Sequence, residues 1–137
     1  MRITNSKYTF PAVFRKERKG GYYIYFPDLE DCYTSSEDIT QGILMAEDVL
    51  AQVLFNEYEE KDLEIPEATP IPDIRLRKTE FATYIVCDTQ PYRIRFSQRA
   101  VKKTLTIPEW LNEAAMEEKI NFSQVLQEAL MNKLNLG

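Results

Sequence analysis

The chain has 137 residues, 44% hydrophobic and 12% aromatic, enough to build a core in one compact domain or two small ones. It carries a net charge of −5 and no histidine, which excludes Ser-His-Asp and Cys-His nucleophile activation, histidine acid-base chemistry and histidine-ligated metal sites. No apolar run reaches spanning length and Met1 leads into polar residues, so neither a transmembrane helix nor a secretory signal is expected, and the cytoplasm is the expected compartment.

The first elements read as strands. KYTFPAVFR places Tyr8, Phe10, Ala12 and Phe14 on one face, and YYIYFP does the same with Tyr22, Ile24 and Phe26. Between them Glu17–Gly21, ERKGG, supplies the adjacent glycines of a tight reversal. After the turn-forming PDLED of Pro27–Asp31, a short third strand is expected at Cys32–Thr34. Ser35 or Ser36 is then placed to cap a helix, with Glu37 and Asp38 at its positive end. Ile39, Ile43, Ala46, Leu50, Val53 and Leu54 recur at three- and four-residue steps, giving one apolar stripe that runs to about Tyr58. EIPEATPIPDIR, with Pro66, Pro70 and Pro72, reads as an extended connector. Strand alternation resumes at EFATYIVCD, Glu80–Asp88, apolar on both faces in the manner of a central strand. The result is an α+β layer of one helix on three or four strands. Cys32 and Cys87 lack metal-like spacing and are expected as small buried strand residues rather than a disulfide.

The C-terminal segment poses a different problem. In KKTLTIPEWL, Lys102, Thr104 and Thr106 alternate with Lys103, Leu105 and Ile107, so a half-buried strand is expected, stopped by Pro108, which also opens a helix. That helix carries Trp110, Leu111, Ala114 and Ala115. Asn121 suits a left-handed turn position, and Ser123 is placed to cap a second helix bearing Val125, Leu126, Ala129, Leu130 and Leu134. A lone strand has no ladder partner, and fewer than about 40 residues rarely enclose a core without disulfide, metal or a second chain. Dimerisation about a two-fold axis solves both difficulties, with the strand pairing antiparallel to its copy.

Taken alone, several residue sets keep two readings. Lys102, Thr104 and Thr106 are DNA readers or ordinary edge-strand residues. Asp28, Glu30, Asp31, Glu37 and Asp38 form an acidic partner face, a carboxylate metal site, or plain turn and helix-start residues. Of Tyr22, Tyr23 and Tyr25, one face packs in the core and the other is a protein interface or bare surface. The charge is uneven: residues 99–137 hold 5 basic and 5 acidic side chains, so the whole −5 lies in residues 1–98, which repel nucleic acid on average.

Lys102–Leu134 resembles a ribbon-helix-helix DNA-binding domain: strand, helix, polar turn before a capping serine, helix. That likeness implies an intertwined dimer with a core of Leu105, Ile107, Trp110, Leu126 and Leu130. Its two-stranded ribbon would enter the major groove with Lys102, Thr104 and Thr106, and Phe122, Ser123 and Gln124 would lie at the phosphate backbone. Tyr8–Leu50 resembles the HicB antitoxin family in its strand hairpin, its F-P-D-L-x-x-C-x-T pattern (Phe26, Pro27, Asp28, Leu29, Cys32, Thr34) and its amphipathic helix. Glu30 and Asp31 stand where that family usually has Pro-Gly, and Gly42 where an acid or alanine is commoner.

The resemblance implies a partial RNase H-like sheet in residues 1–90 that neutralises a toxin, a linker over 91–100, and a ribbon-helix-helix domain over 101–137. It implies a non-enzymatic antitoxin without cofactor or metal that inhibits a small, basic, RNA-cleaving HicA-type toxin and represses its own operon. Expected partners are that toxin, operator DNA and a second copy of the chain, in a heterotetramer or larger assembly with toxin, without membrane. The toxin contact is expected at Tyr23, Tyr25, Asp28, Glu30 and Asp31. The alternatives are a magnesium-dependent ribonuclease using Asp28, Glu47 and nearby carboxylates, and a ligand-sensing ribbon-helix-helix repressor.

Overall fold

In the computed structural model, which describes residues 5–97 and 100–136, the period-two alternation of the first strands becomes a four-stranded antiparallel sheet in the order β3-β2-β1-β4. Its strands are β1 (Lys7–Lys16), β2 (Tyr22–Tyr25), β3 (Tyr33–Ser36) and β4 (Glu80–Asp88). The β1–β2 reversal is made by Gly20 and Gly21 with φ of 96° and 79°, values that an L side chain resists. Helix α1 (Ile39–Val53) packs on one sheet face. Phe10, Ala12, Phe14, Ile24, Ile85 and Cys87 from the sheet, with Phe26 just past β2, meet Ala46, Leu50, Ala51 and Leu54 there in one buried cluster.

Two local expectations change. The cap of α1 is Asp38, whose Oδ1 accepts from the Gln41 amide at 2.7 Å, because Ser35 and Ser36 are already committed to β3. The apolar stripe begins later than its periodicity indicates, since Ile39 is 44% exposed while Gly42, Ala46 and Leu50 are buried. Strand β4 is an edge and pairs with β1 alone. Its two apolar faces have another cause than a central place in the sheet. One lies over the α1 side, where Ile85 and Cys87 are buried; on the other, the Tyr84 hydroxyl accepts from the Ile71 amide of the connector at 3.0 Å. The connector is pinned again where the Thr69 amide and hydroxyl both donate to the Asp28 carboxylate, at 3.0 and 2.5 Å. It also contains a 3-10 turn at Ile71–Asp73.

Gly42 is explained by packing. A Cβ there would lie 2.7 Å from Ser36 Oγ and 3.0 Å from Ile24 Cδ1 and Phe14 Cε2. The helix can approach the sheet only because that atom is missing. Gly42→Ala gains about 1 kcal/mol of helix propensity but overpacks fully buried neighbours, a cost of about 1–3 kcal/mol. The variant is therefore expected to unfold at lower urea concentration than the parent, against the rule for an exposed helix.

Past Val53 the helix continues as a π-helical turn, Leu54–Glu59, with the Glu60 amide donating to the Phe55 carbonyl at 2.9 Å. Helix α2 (Gln90–Phe96) follows β4 directly, where a linker is expected from residue 91. The chain divides into two compact units, Met1–Arg99 and Ala100–Gly137. The second contains α3 (Glu109–Glu117) and α4 (Phe122–Lys133). Among the described residues no helix is long and apolar enough to cross a membrane.

Candidate functional site

Alternation that sends Tyr22 and Ile24 toward α1 sends Tyr23 and Tyr25 to the opposite face. Tyr33 of β3, in register with Tyr25, joins them: the Tyr23 ring lies 5.9 Å from Tyr25 and 6.0 Å from Tyr33, centroid to centroid. Arg15, opposite Tyr23 in the ladder, sets its guanidinium 4.7 Å over that ring, a cation–π contact. The Tyr25 hydroxyl donates to Glu80 Oε2 at 3.2 Å; burial and then the Glu80 charge push its pKa up. With Arg77 and Asp31 these side chains border an open depression of about 650 Å³. Tyr33 is 54% exposed. The face offers flat aromatic area, two guanidiniums and carboxylates at its rim, the chemistry of a protein contact.

Of the acids expected beside these tyrosines, Glu30 and Asp31 are exposed. Asp28 is half-buried and spent on Thr69. Asp31 has φ of 53°, so the position where glycine is usual keeps its left-handed backbone with an aspartate, one of the few side chains that tolerate it.

A second surface has no counterpart in the sequence expectations. Between α1 and the outer edge of β4 runs a groove of about 570 Å³, lined by Leu44, Glu47, Asp48, Ala51, Val86, Cys87, Asp88 and Tyr92, with Lys7 at its margin. Leu44 and Val86 are 55% and 57% exposed. Tyr92 donates to Asp48 Oδ1 at 2.6 Å, and burial together with that bond pushes its hydroxyl up to about 12.

A third cluster is internal. Glu59 Oε2 accepts from Tyr8 (2.8 Å), Thr89 (2.8 Å) and Arg93 Nη2 (2.7 Å), and Oε1 accepts from Arg93 Nε (2.8 Å). Arg93 also donates to the Asn5 carbonyl at 2.8 Å. Burial acts to raise the Glu59 carboxyl, but the bonds from Arg93, Thr89 and Tyr8 outweigh it and hold the group below its ordinary value. The one sequence signal of this hub is spacing, since Glu59 continues the buried series Ala51, Phe55 at four-residue steps. Its partners, 30 to 51 positions away, carry none.

Among the described residues no three of His, Cys, Asp or Glu gather where a metal ion would sit. Asp28 and Glu47 belong to different surfaces. Cys32 and Cys87 are buried free thiols, each pushed up to about 12, chiefly by burial.

No protein-family model matches the sequence, and no curated protein matches it at a significant level. Solved structures do match. One chain of a toxin–antitoxin complex from Streptococcus pneumoniae is 28% identical, with coverage of 93% of this chain and 99% of that one and a TM-score of 0.58. The Burkholderia pseudomallei antitoxin HicB is 14% identical over 94% of this chain and 98% of its own, with a TM-score of 0.51. The fold is that of the HicB antitoxins.

The C-terminal unit differs from the N-terminal one in its exposure. None of its described residues is buried. Trp110 is 69% and Leu105 63% exposed, Ile107 and Leu130 are exposed, and Leu126 is half-buried. Residues 101–107 form neither helix nor strand within the single chain, and Lys102, Thr104 and Thr106 on it are exposed. The cap of α4 is Asn121, not Ser123: Asn121 Oδ1 accepts from the Gln124 amide at 3.1 Å. Its φ of −83° is ordinary, and the left-handed position of the turn is Lys119, with φ of 54°. The Gln124 side chain reaches Glu128 at 3.3 Å.

Proposed function

We propose that the protein is an antitoxin. Its N-terminal unit binds and masks a small, basic, RNA-cleaving toxin of the HicA type, using the tyrosine face of Tyr23 and Tyr25 with Glu30 and Asp31. Its C-terminal unit forms a ribbon-helix-helix dimer that binds operator DNA and represses the shared operon. The observation that carries this reading is the fold match, over 93% of the chain, to one chain of a toxin–antitoxin complex. The charge supports it, since an acidic unit steers toward a basic partner and away from nucleic acid. A C-terminal unit with exposed apolar side chains and no buried residue among those described supports a partner copy. Co-expression with the product of the adjoining reading frame is the direct test: a toxic product relieved by this chain and co-purified with it supports the proposal, while independent purification of the two overturns it.

The DNA assignment has its own test. Thr104 and Thr106 face away from Leu105 and Ile107 on a strand, so Thr104→Ala and Thr106→Ala are expected to leave folding and toxin binding intact. Each should lower operator preference by about 1–3 kcal/mol if the contact is to a base. Asn121→Ala acts otherwise. It removes about 1 kcal/mol of α4 stability and loosens the amides of Phe122 and Ser123 available to a phosphate, so binding should weaken on all sequences alike. Electrophoretic shifts on operator and scrambled duplexes separate the two behaviours, and a double threonine variant with undiminished operator preference would make the strand purely structural.

A further inference from the structure

We propose that the open edge of β4 takes up an extended basic segment of the toxin as a fifth strand of the sheet, a contact additional to the tyrosine face and resting on the antitoxin function proposed above. Strand β4 is nine residues long and pairs on one side only. Along its other side no backbone partner occurs among the described residues. Such an edge is a template for strand addition, and proteins ordinarily blunt it with lysine, proline or a very short strand. Between Glu80 and Asp88 there is neither lysine nor proline.

The groove beside this edge defines the occupant. Leu44 and Val86 present apolar surface, and Glu47, Asp48 and Asp88 stand around it. A second copy is a poor fit. The two-fold antiparallel register that pairs the whole of β4 is centred on Tyr84 and sets Glu80 against Asp88 at both ends, and directly opposed like charges destabilise a ladder. A strand with apolar residues in its middle and arginine or lysine toward its ends suits the two apolar side chains and the three carboxylates, which outnumber the single cation Lys7: main-chain bonds supply affinity, and the carboxylates supply selectivity. Four strands at about 4.8 Å spacing put β3 and β4 roughly 14 Å from each other, so one small protein can span both edges.

The test uses the full-length chain with the protein encoded by the adjoining reading frame. Leu44→Lys and Val86→Lys each set a cation against a basic partner, and Leu44 is an exposed helix position whose exchange spares the core. Each is expected to weaken binding in calorimetry on the order of 100-fold, with the oligomeric state unchanged. Independently of any variant, amides of residues 80–88 in the wild-type chain should gain hydrogen-exchange protection when the partner is added. Full affinity in both lysine variants, or an unprotected β4, overturns the strand-addition proposal while leaving the antitoxin function standing. Protection that grows with the concentration of this chain alone would make a second copy the occupant, which also overturns it. A wild-type chain that does not bind the partner at all removes the antitoxin function itself.

Discussion

A chain carrying Leu105→Asp and Leu126→Asp is expected to sediment as a monomer and to lose operator binding altogether. The C-terminal unit has no buried residue among those described: Leu105 is exposed and Leu126 only half-buried in the single chain. In the proposed dimer its stability comes from the partner copy, so that folding and association are one equilibrium. Desolvating an unpaired carboxylate costs several kcal/mol even after relaxation, and a two-fold dimer counts each substitution twice. Two aspartates per chain should move the dissociation constant by more than about 10⁴-fold, at roughly 1.4 kcal/mol per decade. The N-terminal unit holds its own core and should keep its unfolding transition and the proposed toxin contact. Sedimentation at micromolar concentration decides the matter: a variant that remains dimeric places the dimer contact outside these leucines.

The second large effect lies inside the N-terminal unit. Glu59→Ala is expected to destabilise it by about 3–5 kcal/mol, the usual result of removing one partner of a buried ion pair. Glu59 and Arg93 are only 3% and 8% exposed in their side chains, and the carboxylate also collects Tyr8 and Thr89. Replacing both partners by leucine should cost far less than the sum of the single exchanges, because no buried charge is left behind. The same hub makes stability depend on pH. Because the folded Glu59 carboxyl lies below its ordinary value of 4.5, its contribution is complete above that pH and is lost as pH falls through the lower folded value. Acid unfolding of the wild type should thus be steeper than that of the double leucine variant. Reactivity of the buried thiols Cys32 and Cys87 reports opening of this unit, whereas the single tryptophan, Trp110, reports the other.

Much of this architecture was legible in one dimension. Period two marked the core residues of the first strands, and period 3.6 marked the buried face of α1 at Ala46 and Leu50 and its continuation at Leu54, because which side chains share a face follows from backbone geometry alone. The absence of histidine excluded histidine-dependent chemistry from composition alone. Capping was less legible: Ser35, Ser36 and Asp38 are all good caps, and the choice fell to Asp38 only because β3 runs on to Ser36.

What the tertiary structure alone decided are the relations between segments far apart in sequence. The apolar faces of Glu80–Asp88 suit a central strand or an edge strand flanked by helix and connector, and strand order makes β4 the edge. Asp28 looks like any acidic turn residue until Thr69, 41 positions on, takes both of its oxygens. Gly42 looks like a weak point in a helix until Ile24 and Phe14 are seen to fill the space of its missing Cβ. Glu59 finds Tyr8, Thr89 and Arg93 only where the π-helical turn, β1 and the start of α2 converge. Periodicity is a property of the local backbone and so is written in the sequence; a buried polar partnership depends on where the chain returns, and only long-range packing determines that.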